Sequence, residues 1–471
     1  MTDLRDFIAQ CEREGELHRI KAPVDWNLEL AHTAKLNEER SGPALLFENV
    51  KDYTIPVFTS AFTSTRRMAI ALGFSPNLSM CRLAEAWMEL TTKELVKPNV
   101  VQTGPVLQNR IDGDEINVLD FPSPQFYSND GGRYLGTSAF LVTRDPETGW
   151  VNLGTYRMMV VDEKRVAVQI IRGKHADMML KQYQKMGKKM DAIAVLGGDP
   201  LLNLASSTMV PVQTSEYDVV GQLRGQPVDI IESDISGLPF PANAEIVLEG
   251  VIDPDEFVPE GPFGEYTGYY SAKEDPKVFL DVKRVYHRDN PVFWATAVGK
   301  PINDVCMIQS LNRTASLWYD LKKMAIPGIK SVYIPPESCG RYWAIVSVKQ
   351  SYPGHSMQVG TAVISTTTGH YGLKGVIVVD EDIPADDWAR VMWSLSVRYD
   401  PARSTTIISR GRSTPLDPSL PIEAREIVSR IIMDACTPYE WKQKPRQVAP
   451  DEEMVEQVKS RWDEFGLGAV L

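Results

Sequence analysis

The sequence predicts a mixed α/β (α+β) chain: a split β-barrel with an N-terminal α/β addition, then a three-layer α/β unit and a C-terminal helix. Three observations carry this prediction. Strand-like segments follow one another from Tyr134 with little but turn residues between them. Strands and helices alternate beyond Lys300. A connection crowded with Pro, Asn, Asp and Gly separates both regions from an N-terminal patch of helix and strand. With 471 residues, the chain can bury roughly two to four cores.

Leu4, Phe7, Ile8 and Cys11 recur at helical spacing, with Thr2 as cap and Gly15 as stop, which reads as a docking helix. The strand-like IPVFTSAF (55–62), a helix closing at Gly73 and a helix over 82–95 form a small α/β insertion. From Lys97 to Arg133, with FPSPQF and SNDGG, the chain reads as a long surface connection, and such loops often border sites. TSAFLVTRD, VNLGTYRMMVV and RVAVQII, separated by PETG and DEK, read as a three-stranded antiparallel meander. Further strands are predicted at 244–252, 279–287 and 291–298, with a helix at 174–187. The later alternation runs helix, GIKSVYIPP, RYWAIVSVK, a Met/Val-rich helix, LKGVIVVDE, the helix DDWARVMWSLSVR and STTIISR. Met454, Val458, Trp462 and Phe465 make the tail an amphipathic helix suited to packing on a subunit surface. The units expected are 1–120, 121–300, a linker helix at 301–320, an assembly unit at 321–445 and the tail at 446–471.

Charge and composition restrict the partners. Lys plus Arg number 50 against 62 Asp plus Glu, a formal charge of −12, which argues against nucleic acid and anionic membranes. A small molecule is the better expectation. Five scattered cysteines with no C-x-x-C pair indicate neither a disulfide framework nor a zinc ribbon, and suit a reducing compartment. The first residues carry acids and no apolar leader, and no run reaches the ~18 apolar residues of a span. A cytoplasmic protein without a membrane span is expected.

Dinucleotide, Walker, nucleophile-elbow and H-E-x-x-H signatures are absent. His18, His32, His175, His287, His355 and His370 show no ligand-type spacing, so surface or core roles are expected for all six. The most unusual chemistry is PEGPFGEYTGYY (259–270), where Pro and Gly forbid a regular helix and hold Glu260 and Glu265 on a tight turn beside Phe263, Tyr266, Tyr269 and Tyr270. Two readings are open: a solvated turn, or an acid raised in pKa by an apolar wall next to a carboxylate that orients a cation. In VNLGTYRMMVV (151–161), Asn152 and Arg157 face opposite sides on a two-residue period. Sharing a site requires a bulge or bend, for which Gly154 is the expected place.

Together, N-x-G-x-Y-R at Asn152–Arg157, S-E-Y at Ser215–Tyr217, E-G-P-F-G-E at Glu260–Glu265 and LKGVIVVDEDI at Leu373–Ile383 closely resemble the UbiD-type decarboxylases. Motif order and spacing match as far as D-P-A-R at Asp400–Arg403. The resemblance implies a flavin-binding split barrel, an oligomerisation unit, and a prenylated FMN cofactor made by a separate flavin prenyltransferase. It also implies a divalent metal, usually Mn2+, often with K+. The implied reaction is reversible, non-oxidative decarboxylation of an aromatic or heteroaromatic acid, releasing CO2, through a covalent substrate–flavin adduct.

By the same resemblance, Arg157, Glu260 and Glu265 fall on the family's catalytic Glu-Arg-Glu network, with Glu265 as proton donor, and Asn152 and Glu216 fall on its metal ligands. Some relatives carry a histidine ligand after the position of Gln169, where this chain has Ile170, so water or a phosphate oxygen is expected there. Thr137, Thr155, Tyr156, Arg157, Gln169, Ile170, Ile171, Arg172, Ala205, Ser206, Ser207 and Lys374 fall where relatives touch the flavin or its phosphate. Such chemistry needs a cofactor, because loss of CO2 from an sp² carbon leaves an electron pair that no side chain can delocalise. Relatives acting on the large prenylated quinone precursor commonly have Asp at the position of Glu265, which favours a smaller acid here. The other readings are a polyprenyl-hydroxybenzoate decarboxylase and a non-catalytic flavin-binding assembly protein. A homodimer or homohexamer is implied.

Overall fold

The computed structural model describes residues 3–208, 210–271, 273–448 and 450–466. Its central element is a nine-stranded antiparallel sheet. The path runs Tyr134–Gly136, Met158–Val160, Arg165–Val168, Phe279–His287, Ile246–Ile252, Met190–Leu196, Ala139–Arg144 and Val151–Thr155, with Asn109–Asp112 paired to Phe279–His287. VNLGTYRMMVV is not one strand. Val151–Thr155 forms one edge, while Met158–Val160 lies beside the opposite edge strand. The three peptide units from Thr155 to Met158 can reach roughly 11 Å at most. The two ends of the sheet must therefore lie close together, which curls it into a half-open barrel split at Tyr156 and Arg157.

Two expectations are corrected here. The meander of three strands is two hairpins, Ala139–Arg144 with Val151–Thr155 and Met158–Val160 with Arg165–Val168, joined by the break. The bend falls at Tyr156–Arg157 rather than at Gly154, which pairs in regular register with Leu141. Gly154 has another reason to lack a side chain: a Cβ there would lie 2.5 Å from the Tyr156 ring.

The N-terminal helix Leu4–Arg13 buries Leu4, Phe7, Ile8 and Cys11 as the spacing predicts. Its cap is Asp3, whose side chain accepts from the Asp6 amide; Thr2 lies outside the described residues. Leu17–Ile20, Ala44–Phe47, Val57–Thr59 and Phe293–Trp294 form a four-stranded sheet, so the segment predicted at 291–298 leaves the barrel to pair with Val57–Thr59. The connection over 97–133 does not simply cross the surface. It adds Asn109–Asp112 to the barrel and buries Val118, Phe121, Phe126 and Asp130.

The last sheet has the order Ile329–Tyr333, Trp343–Val348, Gly375–Asp380, Ile427–Ala435 and Thr405–Arg412. Ile427–Ala435, central in this sheet, is a strand the sequence reading missed. Ser429, Arg430 and Asp434 interrupt its apolar pattern, yet Arg430 is buried and donates to the Arg412 carbonyl at 3.0 Å. The tail carries helix Glu452–Ser460 with no buried residue. Ala449 and 467–471 of that expected unit lie outside the described residues. No helix among the described residues is long and apolar enough to cross a membrane.

Candidate active site

The break in the barrel wall gives Arg157 its position. Just before strand Met158–Val160, with its carbonyl accepting from the Gln169 amide at 3.1 Å, it meets the turn that follows strand Val258–Glu260. Arg157 Nε donates to Glu260 Oε1 at 2.8 Å and Nη2 to Glu260 Oε2 at 2.9 Å, a bidentate pair, while Nη1 donates to Glu265 Oε1. The guanidinium lies 4.9 Å from the centroid of the Phe263 ring. Tyr134 packs on Phe263 at 4.5 Å and donates its hydroxyl to Glu260 Oε1 at 2.9 Å. Of the two readings of this turn, the second describes the structure: both acids converge on one cation against an aromatic wall.

The turn is tied down by main-chain bonds. Glu265 N donates to the Tyr269 carbonyl at 3.0 Å, and Ser271 N to that of Phe263 at 2.8 Å. Gly264 N donates to Asp130 Oδ1, and Gly131 N to the Pro262 carbonyl. A Cβ on Gly131 would lie 2.0 Å from the Gly261 carbonyl oxygen, so SNDGG meets the Glu260–Glu265 turn backbone against backbone. The 97–133 connection borders the site through this contact.

Burial sets the electrostatics. Glu260 is fully buried, and the Arg157 and Glu265 side chains are 13% and 12% exposed. Burial raises the Glu265 pKa above the usual carboxylate range, and the Arg157 charge only partly opposes it. Desolvation works against the Arg157 charge, but the Glu260 bond and both carboxylates outweigh it and raise its pKa.

The remaining predicted residues fall into separate groups. Asn152, on the broken strand, donates to Glu216 Oε1 at 2.8 Å, and the Leu153 amide donates to Glu216 Oε2 at 2.7 Å. Burial pushes the Glu216 pKa up to about 8. Asn152 Oδ1 and Gln169 Oε1 are buried without hydrogen-bond partners. A desolvated carboxylate beside the orphaned Asn152 oxygen fits a hard cation. Thr155 Oγ1 lies 2.8 Å from Ser207 Oγ and 3.0 Å from Ser206 Oγ, so the strand and the C-terminal end of helix Pro200–Ser206 form a hydroxyl shelf, with Ala205 buried behind it. Thr137 accepts from the Thr296 amide at 2.9 Å. Tyr156 is buried, with Lys174 Nζ 5.3 Å from its ring centroid. Ile171 and Arg172 are exposed and Ile170 half-buried. Lys374 stands in the last sheet's unit, its ammonium held by Asp417 at 2.6 Å and Ser419 at 2.7 Å.

Tyr134, Asp130 and His175 touch candidate-site residues and were not singled out from the sequence. Asp130 carried a signal, lying in the turn-rich SNDGG. Tyr134 carried none, because its contact spans 126 positions. His175 Nδ1 stands 3.2 Å from Asn152 Nδ2, a pairing that no local spacing reveals.

Family models described as the N-terminal, Rift-related and C-terminal domains of 3-octaprenyl-4-hydroxybenzoate carboxy-lyase match residues 8–87, 99–301 and 306–435. The open form of vanillic acid decarboxylase from Sedimentibacter hydroxybenzoicus is similar at a TM-score of 0.89 and 31% identity, covering 98% of this chain and 99% of that one. The UbiD-class enzyme HmfF from Pelotomaculum thermopropionicum, in complex with FMN, is similar at a TM-score of 0.87 and 26% identity, covering 97% and 99%. An evolved dimeric form of HmfF in complex with prFMN matches at a TM-score of 0.82, 26% identity, and 95% and 97% coverage. Half-open barrel, α/β unit and Glu-Arg-Glu cluster together define a carboxy-lyase. The chain belongs to the UbiD family.

Proposed function

We propose that the protein catalyses reversible, non-oxidative decarboxylation of a small aromatic or heteroaromatic carboxylic acid, with prenylated FMN, a divalent metal such as Mn2+, and K+. The observation that carries this reading is the buried Glu260–Arg157–Glu265 cluster at the break in the barrel. Similarity to a vanillic acid decarboxylase and to an enzyme bound to FMN and prFMN supports the substrate class and cofactor.

When bound, the prenylated flavin supplies a covalent electron sink for the pair left by CO2. Asn152 and Glu216 would hold the metal, and Thr155, Ser206, Ser207 and Arg172 would supply hydroxyls and charge for the flavin phosphate. Arg157 orients the substrate carboxylate, kept rigid by its fork onto Glu260. Glu265 delivers the proton to the carbon that CO2 vacates. Its burial favours the protonated form that this step requires. A flavin-binding assembly protein would have no use for such an acid.

Co-expression with a flavin prenyltransferase, followed by assay of a panel of aromatic acids, tests the reading. At least one acid should release CO2, and its decarboxylated product should exchange hydrogen for deuterium at the vacated carbon in D2O. Full prenylated-flavin occupancy with neither signal across the panel would refute it.

We also propose that the chain assembles as a homodimer or homohexamer through the last sheet's unit. Helix Trp388–Val397 buries only Val391 and Ser394, leaving Trp388, Met392, Trp393 and Val397 between 44% and 61% exposed. Four such side chains on one helix form the kind of patch that marks an association surface. Trp388→Glu with Met392→Glu should therefore shift the particle to monomer mass in light scattering; an unchanged mass would exclude this helix as the interface.

A further inference from the structure

We infer that Arg313 and Arg341 form an anion-binding subsite beside the Glu260–Glu265 turn, made for a second carboxylate on the substrate. The acid is then an aromatic or heteroaromatic dicarboxylate, a conclusion that rests on the decarboxylase reading above.

One face of helix Asp304–Lys323 links the turn to both arginines. Cys306, Gln309 and Arg313 follow one another at intervals of three and four residues, which puts them on one side of the helix. Cys306 Sγ donates to the Tyr266 carbonyl at 3.6 Å, one residue past Glu265. Gln309 Oε1 accepts from Arg341 Nε at 3.0 Å. Arg313 Nη2 donates to the carbonyls of Thr368 at 2.8 Å and Tyr371 at 2.9 Å, and the Arg341 guanidinium lies 5.1 Å from the centroid of the Tyr371 ring. Both guanidiniums are therefore held in place before any ligand arrives.

Charge sets this pair apart. Other guanidiniums drawn into the fold meet carboxylates: Arg67 pairs with Glu16 at 2.7 Å and Arg284 with Asp112 at 2.6 Å. Among the described residues, the partners of Arg313 and Arg341 are all neutral, although both side chains are half-buried. Arg313 Nε and Arg341 Nη1 are buried N–H groups with no partner at all. Arg430 is also held by carbonyls, but burial alone shifts it; Arg313 is lowered to about 9 by burial and then by the charge of Arg341. Lys174 adds a third cation from the barrel side: desolvation, then the same Arg341 charge, lower it to about 8. Arg341 also opposes the upward push that burial gives the Tyr266 hydroxyl, so its field reaches the turn. Three cations without an acid among them call for an anion. Two planar guanidiniums with spare N–H groups suit the two oxygens of a carboxylate. The carboxylate that leaves as CO2 is held at Arg157, so the anion here is a further group on the same substrate.

Holoenzyme co-expressed with a flavin prenyltransferase provides the test, by CO2 release from the isomeric benzene- and pyridinedicarboxylates, each beside its monoamide. The amide keeps the shape and removes the second charge. At least one diacid should exceed its monoamide in kcat/KM by about 100-fold or more, because the monoamide leaves a desolvated guanidinium unpaired. This ratio needs no variant, so a folding defect cannot shield the inference. Where Arg313→Met and Arg341→Met fold, each should shrink the ratio by about 10-fold or more, and calorimetry on FMN-loaded protein should show the same diacid binding more weakly by a similar factor. Monoamides turned over as fast as any diacid would overturn the subsite and leave the decarboxylase reading standing. Diacid binding that depends on both arginines, with no CO2 released from any acid, would overturn that reading and keep the subsite. Neither binding nor release would overturn both.

Discussion

Glu265→Gln is expected to lower turnover by about 10²- to 10⁴-fold, the usual contribution of a positioned general acid. Flavin content and substrate KM should stay near those of the parent protein. The argument is steric as well as chemical. Glutamine keeps the volume of a side chain only 12% exposed and keeps an oxygen to accept from Arg157 Nη1. What disappears is the ionisable proton. The pH profile gives a second handle. Burial raises the Glu265 pKa, so the acid form needed for proton delivery persists above the pH at which a solvated glutamate would lose it. It is lost only as pH rises through that raised value. The parent kcat should therefore fall on the alkaline side, and the residual rate of Glu265→Gln should lack this fall. CO2 release measured across the pH range in which both proteins stay folded checks the two points together. Full turnover in the variant, or the same alkaline fall, would show that another group gives the proton.

The candidate site was legible in the sequence where residue type and backbone constraint coincided. Glu260 and Glu265 stood out because Pro259, Gly261, Pro262 and Gly264 exclude a helix around them, and the structure shows both on a constrained turn meeting Arg157. The conflict between Asn152 and Arg157 on one strand was also legible, since a two-residue period cannot serve both. Its resolution was not, because Gly154 marks where Tyr156 packs, while the break follows from the two sheet ends meeting. Ile427–Ala435 escaped because Arg430 looks solvent-facing in the sequence and is instead buried with carbonyls as partners. His175 escaped for the same class of reason. Its partner Asn152 is 23 positions away, on a strand that no local spacing links to it.

Arg157→Ala is expected to impair stability, cofactor maturation and catalysis together, because one guanidinium balances two buried carboxylates. Glu260 is fully buried and Glu265 nearly so, and among the described residues each has Arg157 as its cationic partner. Breaking a buried pair from one side typically costs about 3–5 kcal/mol, because the remaining charge is left desolvated. Glu265 would partly escape that cost by taking up a proton, and this fixes the sign of the pH dependence. Burial already raises the Glu265 pKa, and losing Arg157 removes the charge that opposes this rise, so its folded-state pKa stands further above the unfolded value of about 4.3. The deficit is then small in acid and grows as pH rises through that raised value. Urea unfolding of parent and variant at acidic and at mildly alkaline pH measures the difference; equal stability at the alkaline pH would show that the cluster is not coupled as drawn. Arg157→Lys separates charge from shape. A lysine restores the positive charge but cannot form the fork onto Glu260 while also reaching Glu265. It should recover much of the alkaline stability and little of the CO2 release, whereas turnover equal to the parent's would mean that a point charge is enough to hold the substrate.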